Sequence, residues 1–169
     1  MGVDIYLKWK GQTDKDIKKQ TDSGWKNNGK VGYLRSAYNP SSTIAWLEAL
    51  FDADIKREFT TAKTLDNWTQ FKDLWIAREF ALQNNTIKPN KDKLFTTIKK
   101  NQALSFAIAL AGTMKQDGTE VLPDSINWKQ QRLYLLTWCQ EARKFCEFAI
   151  KQILADKKEN ATAEVEYSD

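Results

Sequence analysis

The apolar residues between positions 135 and 153 recur at intervals of three and four, and this pattern constrains the fold more than any other feature. On an α-helix such spacing places the side chains along one face. Polar residues occupy the opposite face, where Glu147 and Lys151 are spaced to form a favourable i,i+4 pair. The pattern predicts a long helix over about 126–156, against which the other helices pack. Its apolar members are Leu135, Trp138, Cys139, Ala142, Phe145, Cys146, Ala149 and Ile153.

Shorter patterns of the same kind precede this helix. They predict helices over about 44–51, 66–82 and 90–112. The nearly unbroken apolar run at 103–112 is too short for a membrane span, which needs about 20 residues, so we expect a buried helix segment. Seven Trp, eight Phe and five Tyr supply large side chains that fill helix interfaces. Four or five helices with short loops predict an irregular bundle.

The N-terminal segment follows a different rule. Val3, Ile5, Leu7 and Trp9 alternate with polar or less apolar residues, and this period of two predicts a half-buried strand. A second short strand is predicted over 31–35, and the two strands are separated by one or two helical turns and a turn-forming segment. The predicted fold class is mainly α (α+β), an irregular helical bundle of four to five helices with a small N-terminal two-stranded β segment.

Length and charge suggest the domain organisation. A chain of 169 residues suits one domain and buries roughly 70% of its unfolded surface without metal or disulfide. Residues 1–40 contain eight basic and four acidic side chains, a net charge of +4, whereas the remainder is balanced. We therefore predict a globular domain over 1–156, divided into a basic β-containing segment at 1–40 and a helical bundle at 41–156. Residues 157–169 are acidic and without hydrophobic period, and they predict a disordered tail.

Several kinds of active site are excluded by composition. The chain contains no histidine, which rules out serine or cysteine catalysis with a histidine base and any histidine-ligated metal. Neither phosphate-binding glycine motif is present. Cys139 and Cys146 lie about 10 Å apart along the predicted helix, too far for a disulfide, and are expected to be buried thiols. No cofactor, metal or catalytic residue is predicted.

Carboxylates are the remaining candidates for chemistry. Glu48, Asp52, Asp54 and Glu58 follow one another closely and could bind Mg²⁺ or share a raised pKa. A solvated acidic surface explains the same group more simply, because basic residues follow it closely and no second carboxylate pair can be placed on a facing helix.

The strongest candidate for binding is the stretch 25–35, which interleaves aromatic and basic residues and contains no acid. Trp25, Lys26, Lys30, Tyr33 and Arg35 are its candidate binding residues. Such residues can neutralise phosphates and stack on unpaired bases. A solvated hairpin is the simpler interpretation, since lysine-rich surfaces generally serve solubility.

Two N-terminal segments carry a resemblance to known proteins. Residues 1–9 (MGVDIYLKW) and 32–38 (GYLRSAY) resemble the start of a family of uncharacterised bacterial and phage-associated proteins. The resemblance covers about 40 residues and implies no activity. It implies that Asp4, Tyr6, Tyr33, Arg35 and Tyr38 lie near one another on a small sheet. The acidic tail in turn resembles the glutamate-rich export signals of substrates of bacterial type IV secretion systems.

These observations rank the functions. The leading hypothesis is a non-enzymatic helical protein-interaction module that binds a protein partner or itself. The alternatives are a nucleic-acid-associated accessory protein that uses the basic segment, an exported bacterial effector, and a small carboxylate-dependent enzyme. Because no secretory signal or membrane span is evident, we expect a cytoplasmic bacterial protein without a membrane partner, with export by a signal-independent route as the alternative.

Overall fold

The computed structural model describes residues 2–37, 43–87 and 128–168. The described part is mainly α-helical with a small antiparallel sheet, which confirms the predicted fold class. The predicted helix over 90–112 lies outside the described residues. In chain order the elements are β1 (Gly2–Trp9), α1 (Asp14–Thr21), a 3₁₀ helix (Gly29–Val31), β2 (Tyr33–Ala37), α2 (Thr43–Phe51), α3 (Ile55–Thr61), α4 (Leu65–Gln83), α5 (Trp128–Ala155) and β3 (Ala163–Ser168).

The sheet has three strands in the order β2-β1-β3, with both pairs antiparallel. The first strand of the chain is therefore the central one. Asp4 lies opposite Arg35 of β2 and Ser168 of β3, and Tyr6 lies opposite Tyr33 and Glu166. The β segment thus contains one strand more than the two predicted from the N-terminal sequence.

The third strand corrects the prediction of a disordered tail over 157–169, which is wrong for Ala163–Ser168. The side chain of Ala163 is buried, its backbone N–H donates to the Lys63 carbonyl oxygen at 3.0 Å, and its carbonyl oxygen accepts from Trp68 Nε1 at 2.9 Å. The acidic residues of the tail alternate with apolar ones, so a half-buried strand can keep its charges in solvent.

The predicted apolar stripe of α5 lies in the core, as expected. All eight of its members are buried, and the core cluster joins them to α4 and to the inward-facing residues of β1. Phe59 of α3 lies at the centre of an aromatic group, with its ring centroid 4.8 Å from that of Phe71 and 5.6 Å from that of Phe145. The sheet therefore packs one face against the helices.

Hydrogen-bonding side chains fix the helix starts and one sheet edge. Thr13 and Asp16 form a capping box at the start of α1, and Thr64 forms another with Asn67 at the start of α4. Along the free edge of β2, the backbone N–H of Arg35 donates to Asn27 Oδ1 at 2.6 Å, and its carbonyl oxygen accepts from Trp138 Nε1 at 3.0 Å. Both backbone polar groups of Arg35 at this edge are thus hydrogen-bonded.

Among residues 2–37, 43–87 and 128–168, none of the helices combines the length and apolar character that a membrane span requires.

Candidate functional site

The face of the sheet that points away from the helices carries the candidate site. Side chains alternate across a strand, and Val3, Ile5 and Leu7 face the core, so their neighbours face the other way. We call this surface the outer sheet face. The register assigns to it Asp4, Tyr6, Lys8, Tyr33, Arg35, Glu164, Glu166 and Ser168.

A hydrogen-bond network lies on the β2 side of this face. Arg35 Nη1 donates to both carboxylate oxygens of Asp4, at 2.8 and 3.0 Å, and the Tyr33 hydroxyl donates to Asp4 Oδ1 at 2.7 Å. Burial, and then the hydrogen bond to Asp4, raise the pKa of Tyr33 well above its ordinary value. Tyr33 therefore stays protonated as a donor, and Asp4 neutralises the guanidinium.

Trp25 lies over this network and is largely in solvent. The Arg35 guanidinium carbon is 5.1 Å from the Trp25 ring centroid, which is cation–π geometry, yet 76% of the Trp25 residue surface is exposed. Asp4 holds the guanidinium and Asn27 holds the Arg35 backbone, so the indole rests on a fixed support.

The backbone at Trp25 is unusual as well. Its φ of 67° falls in the left-handed region, which is unfavourable for a bulky side chain. The other non-glycine residues with positive φ in the described part of the chain are Asp52, Asn85 and Asn160, whose short polar side chains tolerate this conformation. Neither packing nor backbone preference explains a tryptophan at position 25.

Tyr6 occupies the centre of the face. Its ring centroid is 5.1 Å from that of Tyr33, and Lys8 Nζ is 5.6 Å from its ring. Burial and then the Asp4 carboxylate raise its pKa, Arg35 lowers it and Glu166 raises it further. Tyr6 is therefore a neutral aromatic platform in the middle of the face.

The structure brings together five of the eight predicted binding residues: Asp4, Tyr6, Trp25, Tyr33 and Arg35. Lys26 follows Trp25 and is exposed. Lys30 is exposed on the 3₁₀ helix, whose Gly29 bonds to Glu141 of α5, and no contact among the described residues joins Lys30 to the Asp4–Arg35 pair. Tyr38 lies outside the described residues.

The sequence prediction missed the acidic residues of this face. Glu164 and Glu166 lie on β3, opposite Lys8 and Tyr6 of β1. The signal that could have found them is the alternation of Ala163, Val165 and Tyr167 with polar residues. Across the face, Arg35 therefore lies on β2, Lys8 lies on β1 opposite Glu164, and the exposed acidic residues lie on β3.

Two members of the acidic group around α2 and α3, Asp54 and Glu58, have structural roles. Asp54 caps α3 by accepting from the Arg57 N–H at 3.1 Å, and Glu58 makes a two-bond ion pair with the buried Arg78, at 2.6 and 2.8 Å. Burial, and then the Asp54 carboxylate, raise the pKa of Glu48 to about 7. Within the residues that the structure describes, no cluster of acids or cysteines could hold a metal ion.

The two cysteines are buried free thiols, as predicted. Burial raises the pKa of Cys139 to about 12 and also raises that of Cys146. Both thiols therefore stay protonated at neutral pH, which removes the reactivity of a thiolate.

Comparison with known proteins finds no family model, no curated protein and no solved structure that matches the chain. The resemblance of the N-terminal segments to bacterial and phage-associated proteins stays a prediction.

Proposed function

We propose that this chain is a non-enzymatic protein-interaction module that binds a folded protein partner through its outer sheet face. Trp25 is the anchor of the interface, Arg35 is the support beneath it, and Tyr6 extends the contact across the sheet. The module acts in the cytoplasm of a bacterial cell.

The exposed, strained Trp25 is the observation that carries the proposal. Because the Trp25 side chain is exposed, its large apolar surface does not contribute to the stability of the fold. The left-handed backbone conformation of Trp25 further destabilises the fold by about 1 kcal/mol. Folding gains little from such a residue, whereas an interface gains much. Trp, Tyr and Arg are the residue types that dominate binding energy at protein interfaces.

The network beneath Trp25 supports the same function. An anchor that is already held in its bound conformation loses little side-chain entropy on association. Asp4 and Asn27 fix Arg35, and Arg35 supports the indole. Arg35 Nη1 and the Tyr33 hydroxyl both donate to the Asp4 carboxylate, so we assign the network a supporting role and no chemistry.

Two alternatives are weakened by the arrangement of charge. Glu164 and Glu166 lie on the same face as Arg35, where they repel a phosphate backbone, which counts against a nucleic-acid accessory protein. Glu58 is occupied by Arg78 and Asp54 by a helix N-terminus, which counts against a carboxylate-dependent enzyme. Export as an effector remains compatible with a protein-binding face.

Site-specific photo-crosslinking of the full-length chain in the cells that make it tests the proposal. A photoreactive residue at Ser168, exposed on the outer sheet face, is compared with one at Thr137, exposed on α5. We expect a protein adduct from position 168, weak or absent at 137. Trp25→Ala should abolish that adduct.

Phe80→Ala, which removes an aromatic residue of similar exposure from α4, is the matched control and should leave the adduct unchanged. The proposal is wrong if position 168 forms no adduct, or if the adduct is indifferent to Trp25→Ala. An adduct removed by nuclease treatment would instead select the nucleic-acid alternative.

A further inference from the structure

Gly2 begins β1 on the outer sheet face, at a position that does not favour glycine. It lies two residues before Asp4 and opposite Ala37 of β2, so a side chain at position 2 would point to the outer side. Glycine is depleted from strands because it has no side chain to pack and loses much conformational freedom on folding. A glycine in a strand often marks a place where another group approaches the backbone closely.

The group that approaches Gly2 is the guanidinium of Arg35. A Cβ atom at position 2 would lie 2.8 Å from Arg35 Nη2, 3.0 Å from Cζ and 3.1 Å from Nε. These distances are shorter than the separation of about 3.5 Å at which non-bonded heavy atoms attract one another best. The guanidinium therefore occupies the space that any other residue at position 2 would need for its side chain.

Contacts with two further residues fix the guanidinium in this place. Nη1 donates to both carboxylate oxygens of Asp4, at 2.8 and 3.0 Å, and the guanidinium carbon is 5.1 Å from the centroid of the exposed Trp25 ring. A methyl group at position 2 would push the guanidinium away from β1. That displacement disturbs the hydrogen bonds to Asp4 and moves the support on which the indole rests.

From this geometry we infer that Gly2 is a positioning residue for the anchor Trp25. Its missing side chain lets the Arg35 guanidinium lie against β1, and Arg35 in turn holds the indole in the conformation that binds the partner. The inference rests on the proposed function, because it concerns how the binding anchor is held. The fold itself gains little from this glycine, since the atoms that a Cβ would displace belong to the flexible end of one side chain.

Substitution of Gly2 in the full-length chain separates positioning from stability. Gly2→Ala should unfold thermally at about the temperature of the unaltered chain, because the weakened surface ion pair is offset by the lower conformational entropy of alanine in the unfolded chain. The indole N–H resonance of Trp25 in a nitrogen–proton correlation NMR spectrum, assigned with Trp25→Ala, should nevertheless shift. Gly11→Ala adds the same methyl group where no atom lies within 4 Å, and this matched control should leave the resonance unchanged.

A double-mutant cycle tests whether Gly2 acts through Arg35. Gly2→Ala should move the Trp25 resonance towards its position in Arg35→Ala, which lacks the guanidinium altogether. In the Arg35→Ala background, Gly2→Ala should then cause no further shift, because no guanidinium remains to be displaced. A role of Gly2 that was merely structural would give the same shift in both backgrounds.

The photo-crosslinking experiment connects the position of the indole to binding. We expect Gly2→Ala to reduce the adduct from position 168 about fivefold, the loss that disordering of one interface side chain predicts, and Gly11→Ala to leave it unchanged. The inference is wrong if Gly2→Ala leaves the Trp25 resonance or the adduct unaltered, or if the shift persists without Arg35. An unaltered chain that forms no adduct would refute the proposed function instead, whereas the cycle would still show whether Gly2 positions the indole.

Discussion

Tryptophan residues on the two faces of the small sheet differ in burial and in hydrogen bonding. On the inner side, Trp68 and Trp138 are buried and donate their indole N–H groups to the two edge strands of the sheet. On the outer side, Trp25 is exposed and rests on one guanidinium group. Packing and hydrogen bonding account for the inner residues completely. The outer residue gains neither, and this difference is why we assign binding to the outer face.

The largest expected effect comes from truncating matched aromatic residues on the two sides. Phe145→Ala leaves a cavity beside Phe59 and Trp68 and should lower the free energy of unfolding by about 4 kcal/mol. Trp25→Ala should lower it by less than about 1 kcal/mol, because only a cation–π contact is lost. Urea unfolding measures both, and equal losses would show that Trp25 belongs to the core.

A smaller loss of stability is expected from a substitution at Gly29, which packs closely against α5. A Cβ at Gly29 would overlap the Glu141 carbonyl oxygen and lie 2.8 Å from the Phe145 backbone nitrogen. Gly29→Ala must move the 3₁₀ helix away from α5 and should lower the free energy of unfolding by about 3 kcal/mol. Gly11→Ala meets no atom within 4 Å and is the control, with a cost of about 1 kcal/mol from its positive φ. Similar losses would contradict tight packing at Gly29.

Because Glu48 is partly buried, we expect substitution of this residue to change the free energy of unfolding by an intermediate amount that depends on pH. Its pKa is about 7 in the folded protein and 4.5 as the ordinary value, so the folded state holds the proton more tightly. Ionisation above pH 7 therefore destabilises the fold, and this penalty disappears as the pH falls towards 4.5. Glu48→Gln should raise the free energy of unfolding by about 2 kcal/mol at pH 8 and leave it nearly unchanged at pH 5. A difference between the two proteins that does not vary with pH would refute the raised pKa.

The smallest expected change in stability comes from the backbone conformation of Trp25. Glycine adopts positive φ freely, whereas alanine does not, so Trp25→Gly should be more stable than Trp25→Ala by about 1 kcal/mol. Both variants lack the indole and should lose binding equally. A glycine variant that is less stable than the alanine variant would mean that position 25 is not held in the left-handed conformation.

The helical part of the molecule was the more predictable from sequence. The apolar stripe of α5 depends on local spacing alone, and it is buried as expected. The seven-residue helix α3 was missed because two turns are too short to show a period. Strand β3 was missed because its acidic composition outweighed the alternation of its side chains, and its partner β1 is distant in the chain.

The candidate site was only partly predictable. The resemblance grouped Asp4, Tyr6, Tyr33 and Arg35, which do lie together. The sequence analysis selected Trp25 because it belongs to a stretch of aromatic and basic residues. Its importance comes instead from its exposure and its left-handed φ, which no sequence pattern predicts. Glu166 joins the face only through a pairing between the two ends of the described chain.

The central position of β1 has a consequence for how the molecule is made. β1 is translated before both of its neighbours, and its neighbour β3 follows the helices of the described residues. Throughout synthesis one side of β1 therefore lacks its partner, and an unpaired strand readily captures other chains. Translation that stops before Ala163 would leave this edge of β1 unpaired and open to other chains, so the sheet is complete only after β3 has been made.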